Sequence, residues 1–100
     1  WGFRSSVTSV EAALKSARAQ AMRSGLPARF HILGSGESFV LSGGDTVMLA
    51  RDIRFGAGSS ATVDFFNDGS STGGRIMLVG SGRSAVITVS PDTSLASLLQ

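Results

Sequence analysis

In the first quarter of the chain, apolar residues recur three and four positions apart: Val7, Val10, Leu14, Ala17 and Ala21. A period of 3.6 places them in one stripe, which predicts a helix over about Ser6 to Ser24. Ser5, Ser6 or Thr8 is a candidate cap, and Glu11, three residues after Thr8, has the spacing of a capping box. Lys15, Arg18 and Arg23 fall off the stripe or at its edge. Alanines at 12, 13, 17, 19 and 21 favour helix and allow a sheet to approach closely. Gly25 and then Pro27 end the element, as a left-handed cap followed by a residue that cannot extend a helix.

After Pro27 the pattern changes to period two. Ala28, Phe30 and Ile32 alternate with Arg29, His31 and Leu33, which predicts a strand with one apolar face. Gly34-Ser35-Gly36 turns the chain into a strand over Glu37 to Leu41, and Ser42 to Asp45 turns it again. Thr46 to Phe55 reads as one strand or two, interrupted near Arg51-Asp52. Ala61 to Phe66 is a strand, followed by a long loop of small polar residues and glycine. Arg75–Val79 and Ser84–Ser90 form the clearest hairpin, joined by Gly80 to Arg83 and broken by Pro91-Asp92. The tail from Thr93 to Gln100 fits a last strand or a short helix, because Leu95, Leu98 and Leu99 stand at helical spacing. A helix followed by a run of antiparallel strands is an α+β arrangement. The helix stripe must cover the sheet, since no other element is available to do so.

Composition narrows the function. One hundred residues, 42% of them hydrophobic, make one domain with a small core. Without cysteine there is neither a disulfide framework nor a thiolate metal site. The net charge is +2, and eight of the nine basic residues are arginines. They are scattered through the sequence rather than grouped into a basic cluster, so nucleic acid is not the expected partner. Arg51, Arg54, Arg75 and Arg83 read as solubilising surface residues.

Candidate catalytic chemistry is thin. His31 is the single histidine and lies within a strand, with no Gly-x-Ser-x-Gly elbow anywhere. It reads as an outward polar residue. Gly73-Gly74 and Gly80-Ser81-Gly82 open no helix and lack the Lys-Ser/Thr of a phosphate loop, so they read as turns. Asp64, Asp68 and Asp92 do not have the spacing of a calcium loop. Asp64 alternates with Val63 and Phe65 and reads as a solvated strand residue, and Asp68-Gly69 reads as a turn. No catalytic residue, cofactor or metal is expected.

Two motifs carry a resemblance. The first is Leu14-Lys15-Ser16-Ala17-Arg18-Ala19-Gln20-Ala21, running into Ser24-Gly25-Leu26-Pro27. The second is Phe65-Phe66-Asn67-Asp68-Gly69-Ser70-Ser71-Thr72-Gly73-Gly74-Arg75. Together, in this order, they resemble the H-type minor pseudopilins of type II secretion and the related FimT-type minor pilins. In the second motif, Phe65, Asp68, Gly69, Ser71, Gly73, Gly74 and Arg75 match the family pattern. The chain departs from the family at Pro91-Asp92-Thr93-Ser94, where a Thr-Gly turn is usual. It also lacks the processed and methylated Phe-Thr-Leu-x-Glu segment.

The resemblance implies a pilin-like fold, one helix packed against two antiparallel sheets. It implies a single periplasmic head, residues 1–100, with the transmembrane half of the helix upstream of Trp1 and the full-length protein anchored in the inner membrane. The role implied is structural, at or near the tip of the pseudopilus, assisting export of folded proteins. The partners implied are the other minor pseudopilins, of the I, J and K types, the major G-type subunit and the secreted cargo. On this reading Phe3, Val7 and Val10, running into Leu14, form a subunit-interaction face that projects beyond the sheet. The alternative is a FimT-type minor pilin that binds DNA through a basic C-terminal segment. Ser94 to Gln100 carries no cation, which ranks that role lower.

Overall fold

The computed structural model describes residues 2–92 and the backbone of 96–99. Helix α1 (Gly2–Ser24) is followed by β1 (Ala28–Leu33), β2 (Ser38–Leu41), β3 (Val47–Met48), β4 (Arg54–Phe55) and β5 (Thr62–Phe65). Then come β6 (Gly74–Gly80), β7 (Arg83–Val89) and β8 (Ala96–Leu99). One sheet has the order β3-β2-β1-β5 and the other β4-β6-β7-β8, every pairing antiparallel. The fold is therefore α+β and pilin-like, one helix against two antiparallel sheets.

The helix begins four residues earlier than its apolar stripe predicts. Ser5, Ser6 and Thr8 consequently lie inside it, and none of them caps it. Ser6 is buried and acts instead as a tertiary anchor. Its Oγ accepts the Ala50 N–H at 3.0 Å, tying the first turns of the helix to the β3–β4 connection. At the far end the Gly25 N–H donates to the Ala21 carbonyl at 2.9 Å, which closes the last turn as expected. With a rise of about 1.5 Å per residue, 23 residues span roughly 34 Å. That is most of the 39 Å longest dimension, so α1 runs the length of the molecule.

The inner faces of both sheets and the stripe of α1 share one core. Period two in β1 sends Ala28 and Phe30 inward, opposite Phe65 and Val63 of β5. From the second sheet come Ile76, Leu78, Ala85, Ile87 and Val89. The rings of Phe30 and Phe39 stack with centroids 5.1 Å apart, and Phe55 meets both edge-on at 6.2 and 6.1 Å. Phe55 belongs to the second sheet, so this trio joins the two sheets through aromatic contact.

Thr46 to Phe55 holds two strands of two residues each, in different sheets. The turn over Ala50 to Ile53, with Asp52 at φ 66°, carries the chain from one sheet to the other. In the β6–β7 hairpin, Gly80 pairs with Arg83, leaving a loop of only two residues. Ser81 (φ 53°) and Gly82 (φ 69°) both take positive φ, the geometry whose twist matches that of the flanking strands. Ala96–Leu99 is a strand on β7, which decides between the two readings of the tail. Leu95 lies outside the described residues.

Candidate functional site

The second motif builds a clamp. Phe65 ends β5 inside the core, and Phe65 and Ser71 form an antiparallel bridge that closes a small loop over residues 66–70. Within it the Phe66 N–H donates to the Ser70 carbonyl (2.9 Å) and the Gly69 N–H to the Phe66 carbonyl (3.0 Å). Asp68 Oδ1 accepts both the Ser70 hydroxyl (2.5 Å) and the Ser70 N–H (2.9 Å). These bonds favour the ionised carboxylate and hold Asp68 below the usual carboxylate range.

The next residues fasten the loop to the other sheet. Ser71 is buried; its N–H donates to the Pro91 carbonyl (3.0 Å) and its hydroxyl to that of Ser90 (3.2 Å). The same oxygen accepts the Gly73 N–H at 2.9 Å. Thr72 lies alongside β5, donating its N–H to the Asp64 carbonyl and accepting the Asp64 N–H at Oγ1. Gly73 has φ 71°, and a Cβ there would stand 3.1 Å from the ring of Pro91. Ser60 and Arg75 exchange bonds at the start of β6. The motif's polar residues thus tie β5 of one sheet to the end of β7 in the other. The Arg75 side chain is exposed, and its residue is held through the backbone.

The first motif meets the second. Leu14, Ala17 and Ala21 are buried, while Arg18 and Met22, on the flank of the stripe, lie over Gly69. A Cβ on Gly69 would stand 3.3 Å from Arg18 Nη2 and 3.6 Å from Met22 Sδ. Gly69 is buried beneath them, and Arg18 Nε is buried with no hydrogen-bond partner among the described residues. Beyond this contact Met22 and Leu26 remain exposed apolar residues, 47% and 67% accessible.

The front half of the helix departs from expectation. Phe3, Val7 and Val10 are 4%, 4% and 0% exposed, so they do not project beyond the sheets and form no free apolar patch. The cause is reach: the β3–β4 connection and the β6–β7 hairpin extend as far as the first helical turn, where Gly2 meets Ala50 and the Arg83 guanidinium lies 5.2 Å from the centre of the Phe3 ring. Leu14 is likewise core. The opposite side of α1 is exposed or half-buried and carries a line of small residues, Ser5, Ser9, Ala12, Ser16 and Ala19, with Thr8 and Lys15 beside it and Arg23 at its end.

The candidate catalytic groups do not converge. His31 is half-buried on the outer face of the first sheet, beside Val40 and Thr62 in register, and its Nδ1 is buried without a partner among the described residues. Asp64, two residues along β5 from Thr62, accepts hydrogen bonds from Arg29 Nε and Nη2 at its two carboxylate oxygens, at 2.6 and 3.0 Å. That hydrogen-bonded pair lowers the Asp64 pKa and raises that of Arg29. Asp64 is thus a paired residue rather than a freely solvated one. Among the described residues no three His, Asp or Glu side chains gather as a metal site. No described helix is long and apolar enough to cross a membrane.

Ser6 is the structural residue that motif reading missed. Its position between Phe3 and Val10, on the margin of the stripe, was the available signal. Taken together, a long helix laid over two antiparallel sheets, with an alanine-rich helix end pinned by an Asp-Gly loop, defines a pilin-like fold. Residues 6–93 match the family described as Type II transport protein GspH, and the chain belongs to that family of structural pseudopilins. Comparisons with curated proteins and with solved structures give no match. The family match supports a type II secretion pseudopilin and gives no weight to a DNA-binding pilus role.

Proposed function

We propose that this chain is a minor pseudopilin acting at or near the tip of the type II secretion pseudopilus, where it assists export of folded cargo as a mechanical part and not as an enzyme. The observation that supports this reading is the meeting of the two family motifs at Arg18 and Gly69. A subunit that is pushed or pulled along its helix axis must pass force from helix to head. Here the helix end is held by the same loop that staples the two sheets, so head and helix move as one body. The side of α1 facing neighbours is the small-residue stripe Ser5, Ser9, Ala12, Ser16 and Ala19, since the apolar stripe already lies in the core. Small side chains allow another helix to approach closely. The neighbours are the I-, J- and K-type minor subunits and the major G-type subunit, with the full-length protein held at the inner membrane.

The test is complementation in a strain lacking the gene. Restored secretion, together with recovery of the I, J and K subunits on an affinity-tagged copy, supports the proposal. Normal secretion in the deletion strain, with no minor subunit recovered, contradicts it.

A further inference from the structure

We infer that the pole of the domain at the start of α1 is a docking surface for anionic phospholipid headgroups. Four arginines that are far apart in sequence meet there. Arg4 lies in the first turn of the helix, Arg51 lies within the turn over Ala50 to Ile53 and Arg54 directly follows it, and Arg83 follows the β6–β7 turn. All four side chains belong to exposed residues, and none forms an ion pair among the described residues. The elements bearing them are in contact: Gly2 meets Ala50, Arg83 lies over Phe3, Gly80 packs on Asp52 and Ile53, and Arg54 pairs with Val79.

The charge balance is lopsided. The acidic residues at this pole are Glu37 and Asp52. Elsewhere five basic residues (Lys15, Arg18, Arg23, Arg29, Arg75) face five acidic ones (Glu11, Asp45, Asp64, Asp68, Asp92). Four against two at the pole and five against five elsewhere place the whole net charge of +2 at one end of a 39 Å molecule. Its chemistry fits a lipid surface in two ways. Every cation there is a guanidinium, whose fork matches phosphate oxygens. Beside them the edge strand β3 leaves Val47 38% and Met48 67% exposed, apolar side chains able to enter the headgroup layer. This inference does not depend on the subunit role proposed above.

Co-sedimentation of the chain with vesicles tests it. Binding is expected to vesicles of phosphatidylglycerol mixed with phosphatidylcholine, weakening as salt rises, and to be absent with phosphatidylcholine alone. Arg4→Gln with Arg51→Gln touches no described side-chain hydrogen bond or ion pair and is expected to weaken binding about fivefold per arginine. Arg23→Gln with Arg75→Gln, elsewhere on the surface, is expected to bind as the unsubstituted chain does. Circular dichroism confirms that each variant is folded. No binding to anionic vesicles, equal loss from both pairs of substitutions, or binding to poly-glutamate but not to vesicles overturns the inference.

Discussion

Arg18 and Gly69, fifty-one positions apart in the sequence, are in contact: the guanidinium Nη2 lies 3.3 Å from where a Cβ on Gly69 would stand. Gly69 has φ 89°, a left-handed conformation that side-chain-bearing residues resist. Two costs therefore attend Gly69→Ala, a close contact and a backbone strain. The contact involves the far end of a flexible side chain and yields easily. The strain does not, and amounts to about 1–2 kcal/mol. Gly69→Ala is expected to lower the urea midpoint accordingly, and Arg18→Ala in the same chain is expected not to restore it. Restoration would show that the crowding, not the backbone, carries the cost.

The aromatic trio gives a sharper stability test. Phe30 is fully buried, stacked on Phe39 and edge-on to Phe55 across the two sheets. Phe30→Ala removes a ring from a packed core and is expected to cost about 3–5 kcal/mol. Phe66, adjacent to Phe65 but half-buried, is expected to cost much less when replaced by Ala. Denaturant unfolding of the two variants gives the comparison. Equal losses would mean that the trio does not join the sheets.

Acid stability follows from two carboxylates. Asp64 is held below its ordinary range chiefly by its hydrogen bond with Arg29, and Asp68 by its bonds from Ser70. A carboxylate with a depressed folded pKa contributes stability that is present above the unfolded pKa, near about 4, and lost as pH falls through the folded value. The melting temperature is therefore expected to fall as pH drops from about 5 toward about 3. In Asp64→Asn with Asp68→Asn that dependence is expected to flatten, with the largest difference from the parent above about pH 5. Thermal melts across this range check it. An unchanged slope in the double variant would assign the acid loss to other groups.

Much of this architecture is legible in the chain. The stripe Val7 to Ala21, the Gly25–Pro27 stop and the alternation around Phe30 each report a local preference, and local preferences survive folding. What the sequence conceals is tertiary. The apolar stripe says that Phe3, Val7 and Val10 are covered, but not whether this domain or a neighbour covers them. The answer depends on how far the turns at Ala50 and Gly80 reach along the helix. Ser6 looks like a cap because its hydroxyl suits one, and its partner, Ala50, lies 44 residues away. The four arginines of the pole look scattered because clustering in sequence and clustering in space are different properties. The loop motif is visible as residue types, but its role in joining β5 to the end of β7 rests on Ser71 bonds to Ser90 and Pro91 that no local pattern encodes.

How the fibre is built depends on which side of α1 meets another subunit. The chain has no cysteine, so single introduced thiols report without background. The decisive measurement is disulfide cross-linking in cells between Ala12→Cys on the exposed side, or Val10→Cys on the buried side, and cysteines scanned along the helices of the I-, J- and K-type minor subunits and the G-type subunit. Cross-links from position 12, with none from position 10, are the expected result. Cross-links from position 10 and none from 12 would contradict it, showing that the front of the helix leaves its own core to join the fibre.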